Sequence, residues 1–111
     1  MEISARDFRF SELISVKGRV DQSNADQITA AVEAAHQRGK YNLVIDLGEL
    51  EYMSSAGFRA LLVGQRNCKR YNRGEIILAA VPKRIHEAFE LTGFTPLFKF
   101  IDDDITAVGY F

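Results

Sequence analysis

Residues 41–63 constrain the fold more than any other stretch of the chain. They begin Tyr41-Asn42-Leu43-Val44-Ile45-Asp46-Leu47, an apolar run with β-branched residues. Such a run suits a strand buried on both faces, as in a parallel sheet covered by helices. A short polar bend containing Gly48 follows. Ser54-Ser55-Ala56-Gly57 then opens an amphipathic run, Phe58-Arg59-Ala60-Leu61-Leu62-Val63. Serine is a favoured N-cap because its hydroxyl can accept from a backbone N–H that the first helical turn leaves unpaired. The pattern predicts a strand, a turn, and a helix whose N-terminus carries two hydroxyls. Open α/β sheets place their chemistry at this edge, beyond the carboxyl ends of the strands. A helix N-terminus also favours an anion.

The flanking segments extend the same scheme. Residues 3–10 and 13–16 read as two strands of a hairpin, with Ser11-Glu12 between them and residues 17–21 ending the unit. Ser23 is a candidate N-cap for a first helix, and Asp26 places negative charge in its first turn. Ala25, Ile28, Val32 and Ala35 recur at spacings of three and four, marking one buried face. His36 and Arg38 suit the negative helix end, and Gly39 is a natural stop. The helix after the serines is expected to bury Phe58, Leu61, Leu62 and Cys68 and to close at Gly74. Its C-terminal half gathers Arg66, Lys69, Arg70 and Arg73, a pattern that suits a solvated face complementing the helix dipole. Residues 75–81 form a further buried strand. Pro82 starts a short helix with Ile85, Ala88 and Phe89 inward and Gly93 at its end. Residues 97–101 are a last strand, and Asp102-Asp103-Asp104 caps a terminal helical turn around Ile105 and Val108. The predicted order is β-β-α-β-α-β-α-β-α. Short crossovers make most strands parallel, and the opening hairpin makes the sheet mixed.

Several function classes find no support. A chain of 111 residues forms one domain. Its net charge of -1, from 14 basic and 15 acidic residues, gives no electrostatic reason for a nucleic acid or an anionic membrane as partner. Cys68 is the sole cysteine, so neither an internal disulfide nor a cysteine-pair metal site is expected. No apolar run reaches the ~18 residues of a membrane span. The first residues do not read as a signal peptide, and the expected location is the cytoplasm. Nucleotide-binding glycine motifs and metal-ligand spacings are missing, so no cofactor and no metal are expected. A nucleophilic serine would need Gly-x-Ser-x-Gly, but Met53 stands where the first glycine belongs. His36 should lie at the opposite end of the sheet from the serines, and His86 has no evident acidic orienter. An esterase is therefore the weakest reading, and the chain is not expected to be an enzyme. A serine acted upon remains. Phosphorylation would add about -1.5 to -2 of charge, and the helix dipole favours it by about 0.3–1 kcal/mol. Arg59 lies four residues after Ser55 on the same face, a cation set against the dipole that an anion would compensate. On these residues alone, a phosphate acceptor and a pair of plain helix caps stand evenly.

Three stretches together resemble a STAS domain: Gly18-Arg19-Val20-Asp21 before a helix, Leu43-Val44-Ile45-Asp46-Leu47, and Leu50-Glu51-Tyr52-Met53-Ser54-Ser55-Ala56-Gly57-Phe58. Within that family they resemble the stand-alone anti-sigma factor antagonists of bacteria. The resemblance spans essentially the whole chain, so residues 1–111 are expected to be one STAS domain. It implies an α/β fold with a mixed, mostly parallel sheet and helices mainly on one face. It also implies partner switching. The unphosphorylated domain would bind an anti-sigma factor that is a serine kinase, and so free a sigma factor. The kinase would inactivate the domain by phosphorylating a serine at the helix start, and a serine phosphatase would reverse this. The family's acceptor pattern is Asp-Ser-x-Gly, and Ser55-Ala56-Gly57 matches its last three positions. Ser55 is the implied acceptor. Ser54, standing where the acid is usual, is a second candidate. Asp21 matches the acid of the family's Gly-x-x-Asp turn and is expected near the serines. The implied partner surface is Asp21, Ser54, Ser55, Ala56 and Gly57, to which charge and spacing add Arg59. The alternative is a constitutive STAS scaffold or assembly subunit whose serines only cap the helix.

Overall fold

The computed structural model describes all of residues 1–111. Its elements are β1 (Glu2–Asp7), β2 (Glu12–Val20), α1 (Asp26–Gln37), β3 (Leu43–Asp46), β4 (Leu50–Met53), α2 (Ser55–Lys69), β5 (Ile76–Ala79), α3 (Lys83–Thr92), β6 (Lys99–Ile101) and α4 (Asp104–Tyr110). Single 3₁₀ turns follow α2 at Arg70–Asn72 and precede β6 at Thr95–Leu97. The strands form one sheet in the order β1-β2-β3-β5-β6, with β4 also paired to β2. Only β1 runs antiparallel, to β2, as the expected hairpin; every other pairing is parallel.

The double burial anticipated for the central strands is present. On β3 and β5, Leu43, Ile45, Ile76 and Leu78 join the larger core beneath α1, α2 and α3. Val44, Ile77 and Ala79 face the other way and pack with Ala107 of α4. Three helices therefore cover one face and one short helix the other. Both faces of β3 and β5 are dry, which is why their sequences read as unbroken apolar runs. Phe89 of α3 lies edge-on to Phe58 at 4.6 Å, Phe98 at 5.7 Å and Phe100 at 5.6 Å, an aromatic cluster joining α2, α3 and β6. Buried Gln65 of α2 donates from Nε2 to the carbonyls of Ile76 and Leu97 and accepts from the Ile76 N–H at 2.6 Å. One amide thereby fastens the helix to β5 and to the 3₁₀ turn before β6.

Several expectations need correction. One strand, β4, is added to the expected order. It is four residues long, and Leu50 and Met53 are buried while Glu51 and Tyr52 are exposed. A spacing of three does not show the two-residue period of a strand. Strand β2 runs on to Val20 instead of stopping at Val16. It pairs with β3 through residues 12–15 and then with β4 through residues 18–20. The register shifts between Gly18 and Arg19, and Gly18 has a φ of 87°, which glycine adopts at little cost. Glu12 heads β2, buried and bridged by both its oxygens to Arg38, so it is not a turn residue. Strand β1 ends at Asp7, and β6 begins only at Lys99. Helix α2 ends at Lys69, because Tyr71 and Asn72 turn to positive φ. Gly74 has another reason to be glycine: a Cβ there would collide with the Tyr41 carbonyl. Leu62 is only half-buried, and on α4 the inward residue is Ala107, whereas Ile105 is 82% exposed.

Candidate functional site

The start of α2 is fixed by the strand before it. Val20 of β2 lies in register with Met53 of β4, and the Ser54 N–H donates to the Val20 carbonyl at 2.9 Å. The chain leaves β2 at Asp21 and enters α2 through Ser54 at adjacent points of the same sheet edge. The expected proximity of Asp21 to the serine turn is thus a consequence of strand register.

The two serines occupy different environments. Ser54 holds the N-cap backbone conformation, φ -82° and ψ 174°, yet its hydroxyl caps nothing. Its Oγ is buried with no hydrogen-bond partner in the protein. The first turn is closed instead by the Ser54 carbonyl, which accepts from Gly57 N at 3.0 Å and Phe58 N at 3.2 Å. Ser55 is the first helical residue and is exposed. Beyond it, Gly57 is buried against the strands: a Cβ there would come within 2.9 Å of Val20 Cγ1 and 3.0 Å of Met53 Sδ. The missing side chain is what lets α2 begin so close to β2 and β4.

Asp21 is exposed and tightly held. Its Oδ1 accepts from the Ser23 N–H at 2.9 Å and from the Ser23 hydroxyl at 2.5 Å. These bonds to Ser23 hold its carboxyl below the usual carboxylate range, so it is a fixed negative charge at neutral pH. Its own N–H donates to Asn24 Oδ1, and Asn24 Nδ2 donates to the Arg19 carbonyl. Ser23 is therefore not the N-cap of α1. That position falls to Ala25, without a side-chain bond, because Asp21 takes the Ser23 donors to close the preceding turn.

Arg59 is exposed and makes no ion pair. It lines a shallow groove of about 270 Å³ between the starts of α1 and α2, with Asp26, Thr29, Ala56 and Val63. Ala56 is half-buried at the edge of this groove. The residues singled out from sequence thus gather at one edge: Asp21, Ser54 and Ser55 at the turn, Ala56 and Gly57 beneath, and Arg59 one helical turn on. Sequence reasoning missed Arg19 and Tyr52, which pair across β2 and β4 with the guanidinium 4.6 Å from the ring centroid. Tyr52 is 42% exposed and immediately precedes the Met53-Ser54 turn. Recognising β4 would have found it.

Neither serine hydroxyl is bonded to a histidine. His36 lies at the far end of α1, 3.2 Å from Cys68 Sγ and stacked on Tyr41 at 4.6 Å, away from the serine turn as expected. Burial pushes the Cys68 thiol up to about 12 and lowers His36, with the nearby Arg73 charge lowering His36 further. Thiolate chemistry at neutral pH is thereby disfavoured. His86 does have an acid beside it, contrary to expectation: Nδ1 is 3.2 Å from Glu90 Oε1. That pair faces a groove lined by Gly48, Ala80 and Phe100, which does not include the serines. No three metal-ligating side chains converge, and no helix is long and apolar enough to cross a membrane.

Comparison with known proteins adds to this geometry. A family model described as "Mlab, STAS domain" matches residues 5–99. BtrV of Bordetella bronchiseptica, to which an anti-sigma factor antagonist role is ascribed, is 32% identical over 96 residues, covering 86% of this chain and 82% of the relative. The anti-sigma-B factor antagonist of Listeria monocytogenes is 29% identical over 99 residues, covering 89% and 85%. The Bacillus cell fate determinant SpoIIAA, solved in its phosphorylated form, superposes with a TM-score of 0.77 at 20% identity over 98% of each chain.

Proposed function

The chain belongs to the STAS domain family, and from that premise we propose that it is an anti-sigma factor antagonist switched by phosphorylation of Ser55. Two relatives that span most of its length carry that functional description. In this reading the unmodified domain binds a serine-kinase anti-sigma factor through the edge formed by Asp21, the serine turn and Arg59. Transfer of a phosphoryl group to Ser55 ends that binding, and a serine phosphatase restores it.

The observation that carries the proposal is the contrast between the serines. Ser55 presents an exposed hydroxyl at the first helical position, whereas the Ser54 Oγ is turned inward and buried. A phosphate on Ser55 meets the unpaired amides of the first turn, so the added charge is compatible with the fold. Arg59, one turn on and free of ion pairs, is a ready counter-charge. Before modification the edge displays one fixed anion, Asp21, and one free cation. Afterwards it carries about two more negative charges. A partner shaped to the first arrangement meets repulsion and a blocked hydroxyl in the second.

The test is incubation with the cognate kinase and ATP, followed by intact mass measurement and pull-down. The wild type should gain one phosphate and Ser55→Ala none. Ser55→Asp should weaken capture of the kinase by about 10-fold or more, equivalent to ~1.4 kcal/mol, with its melting curve unchanged. Phosphate uptake that survives in Ser55→Ala would refute Ser55 as acceptor. No uptake by the wild type would assign the chain to the constitutive scaffold reading.

A further inference from the structure

The cations of the second half of α2 do not stand on an open solvated face. Arg66, Lys69 and Arg70 flank a groove of about 590 Å³, whose remaining wall includes Leu62, Phe94 and Leu97. None of the three cations forms an ion pair, and no carboxylate lines the groove. Leu97 is 46% exposed within it. An apolar trough edged by three uncompensated positive charges is matched by a bulky apolar side chain with carboxylates beside it. The same chain presents that pattern on α3. Leu91 is 90% exposed in the last turn of that helix. Glu87 lies one turn before it on the same outward face, and Glu90 precedes it; both are exposed. Leu91 is also three residues from Phe94, so knob and trough are neighbours on one side of the molecule.

We propose that this side is a self-association surface: Leu91 of one copy enters the Leu62–Phe94–Leu97 trough of a second, with Glu87 and Glu90 set against Arg66, Lys69 and Arg70. Because one patch carries both halves, a twofold axis satisfies both at once. The assembly closes at two copies instead of growing into a filament. The patch lies at the opposite end of α2 from Ser55, so a dimer leaves the serine edge open. Much of the attraction is between charges, so association is weak and sensitive to salt.

The test is sedimentation velocity of the full chain over a hundredfold range of concentration reaching the millimolar. The expected result is a reversible shift toward twice the monomer mass. It should weaken as salt rises from about 0.1 M to about 1 M, where the screening length falls from ~10 Å to ~3 Å. Charge reversal of either half, Arg66→Glu with Arg70→Glu or Glu87→Lys with Glu90→Lys, should give a monomer. Mixing the two variants should restore the dimer, since both contacts then join opposite charges. Leu91→Asp should also be monomeric, and thermal melts verify that each variant is folded. The replaced side chains are exposed, and the only bond lost is the surface His86–Glu90 pair. A monomer at all concentrations overturns the proposal, as does a dimer indifferent to both charge reversals. If the chain stays monomeric while decanoate at millimolar concentration shifts the methyl resonances of Leu62 and Leu97, the trough takes a small amphipathic anion and the dimer is refuted.

Discussion

Gly57→Ala tests whether the serine edge depends on a close helix-to-strand approach. A methyl at this position would lie 2.9 Å from Val20 Cγ1 and 3.0 Å from Met53 Sδ. Met53 is unbranched and can rotate its thioether away. Val20 cannot: it is 0% exposed, β-branched and fixed in β2. The start of α2 must lift from the sheet. Overpacking of this kind costs about 1–3 kcal/mol. Against it, alanine in place of glycine in a helix favours folding by up to ~1 kcal/mol. The net expectation is a loss of about 1–2 kcal/mol, which in a domain near 100 residues lowers Tm by roughly 4–8 °C. Gly109→Ala is the matched control, because nothing lies within 4 Å of a Cβ there and its backbone is helical. It should raise Tm. Thermal denaturation followed by circular dichroism reads both. A double-mutant cycle with Val20→Ala, which opens the space, should show the pair losing less than the sum of the single changes. Gly57→Ala melting at or above the wild type would refute the steric argument. The glycine of the Ser-x-Gly pattern would then have to be explained by what a partner touches.

Two further outcomes follow from the same edge of the sheet. Burial holds the Asp46 carboxyl above the usual carboxylate range, and neighbouring Asp104 adds to this, while the Gly48 N–H bond opposes it. The folded state thus favours protonated Asp46, so its contribution to stability is present at acid pH and is lost as pH rises through the raised value. Asp46→Asn, which mimics the protonated form, should raise Tm at about pH 7 and leave it unchanged near pH 3; equal shifts at both would contradict this. Ser54→Ala should leave stability within about 0.5 kcal/mol of the wild type or increase it, since the buried hydroxyl bonds nothing. A working serine cap would instead lose ~1 kcal/mol in a urea melt.

The parts of the fold legible in sequence are those where one local signal meets no competitor. Residues 43–46 and 76–79 are buried on both faces, and nothing but a covered parallel strand fits such runs. Ile28, Val32 and Ala35 are buried on α1 as their spacing requires. Signals that depend on distant partners were not legible. The Ser23 hydroxyl could serve the helix after it or the turn before it, and only the position of Asp21 decides. Leu50 and Met53 become strand residues because Gly18 shifts the register of β2 beside them. The basic cluster of α2 reads as a dipole complement until Phe94 and Leu97 are brought alongside. Gln65 looks like a stray polar residue until Ile76 and Leu97 turn their carbonyls toward it. At the serine edge the motif locates the turn, but the sequence could not show which hydroxyl faces outward.

That last distinction bears on the serine standing where the family's acceptor pattern has an acid. At position 54 the side chain points into a buried place that offers no donor. A carboxylate held there would be desolvated and unpaired, a cost far above that of a hydroxyl. An acid at this position must therefore turn outward, where it would cap the first turn and add negative charge beside the acceptor. With serine the outward charge is missing, and the turn is closed by backbone alone. The fixed anion nearest the acceptor is then Asp21, oriented by Ser23 and kept ionised by it. Electrostatic recognition that two acids could share falls here on one residue. That residue's position depends on the Val20–Met53 register and on the close packing of Gly57. The geometry of the edge is thus set by strand pairing more than by side-chain caps, and changes in the core beneath it should reach the partner surface directly.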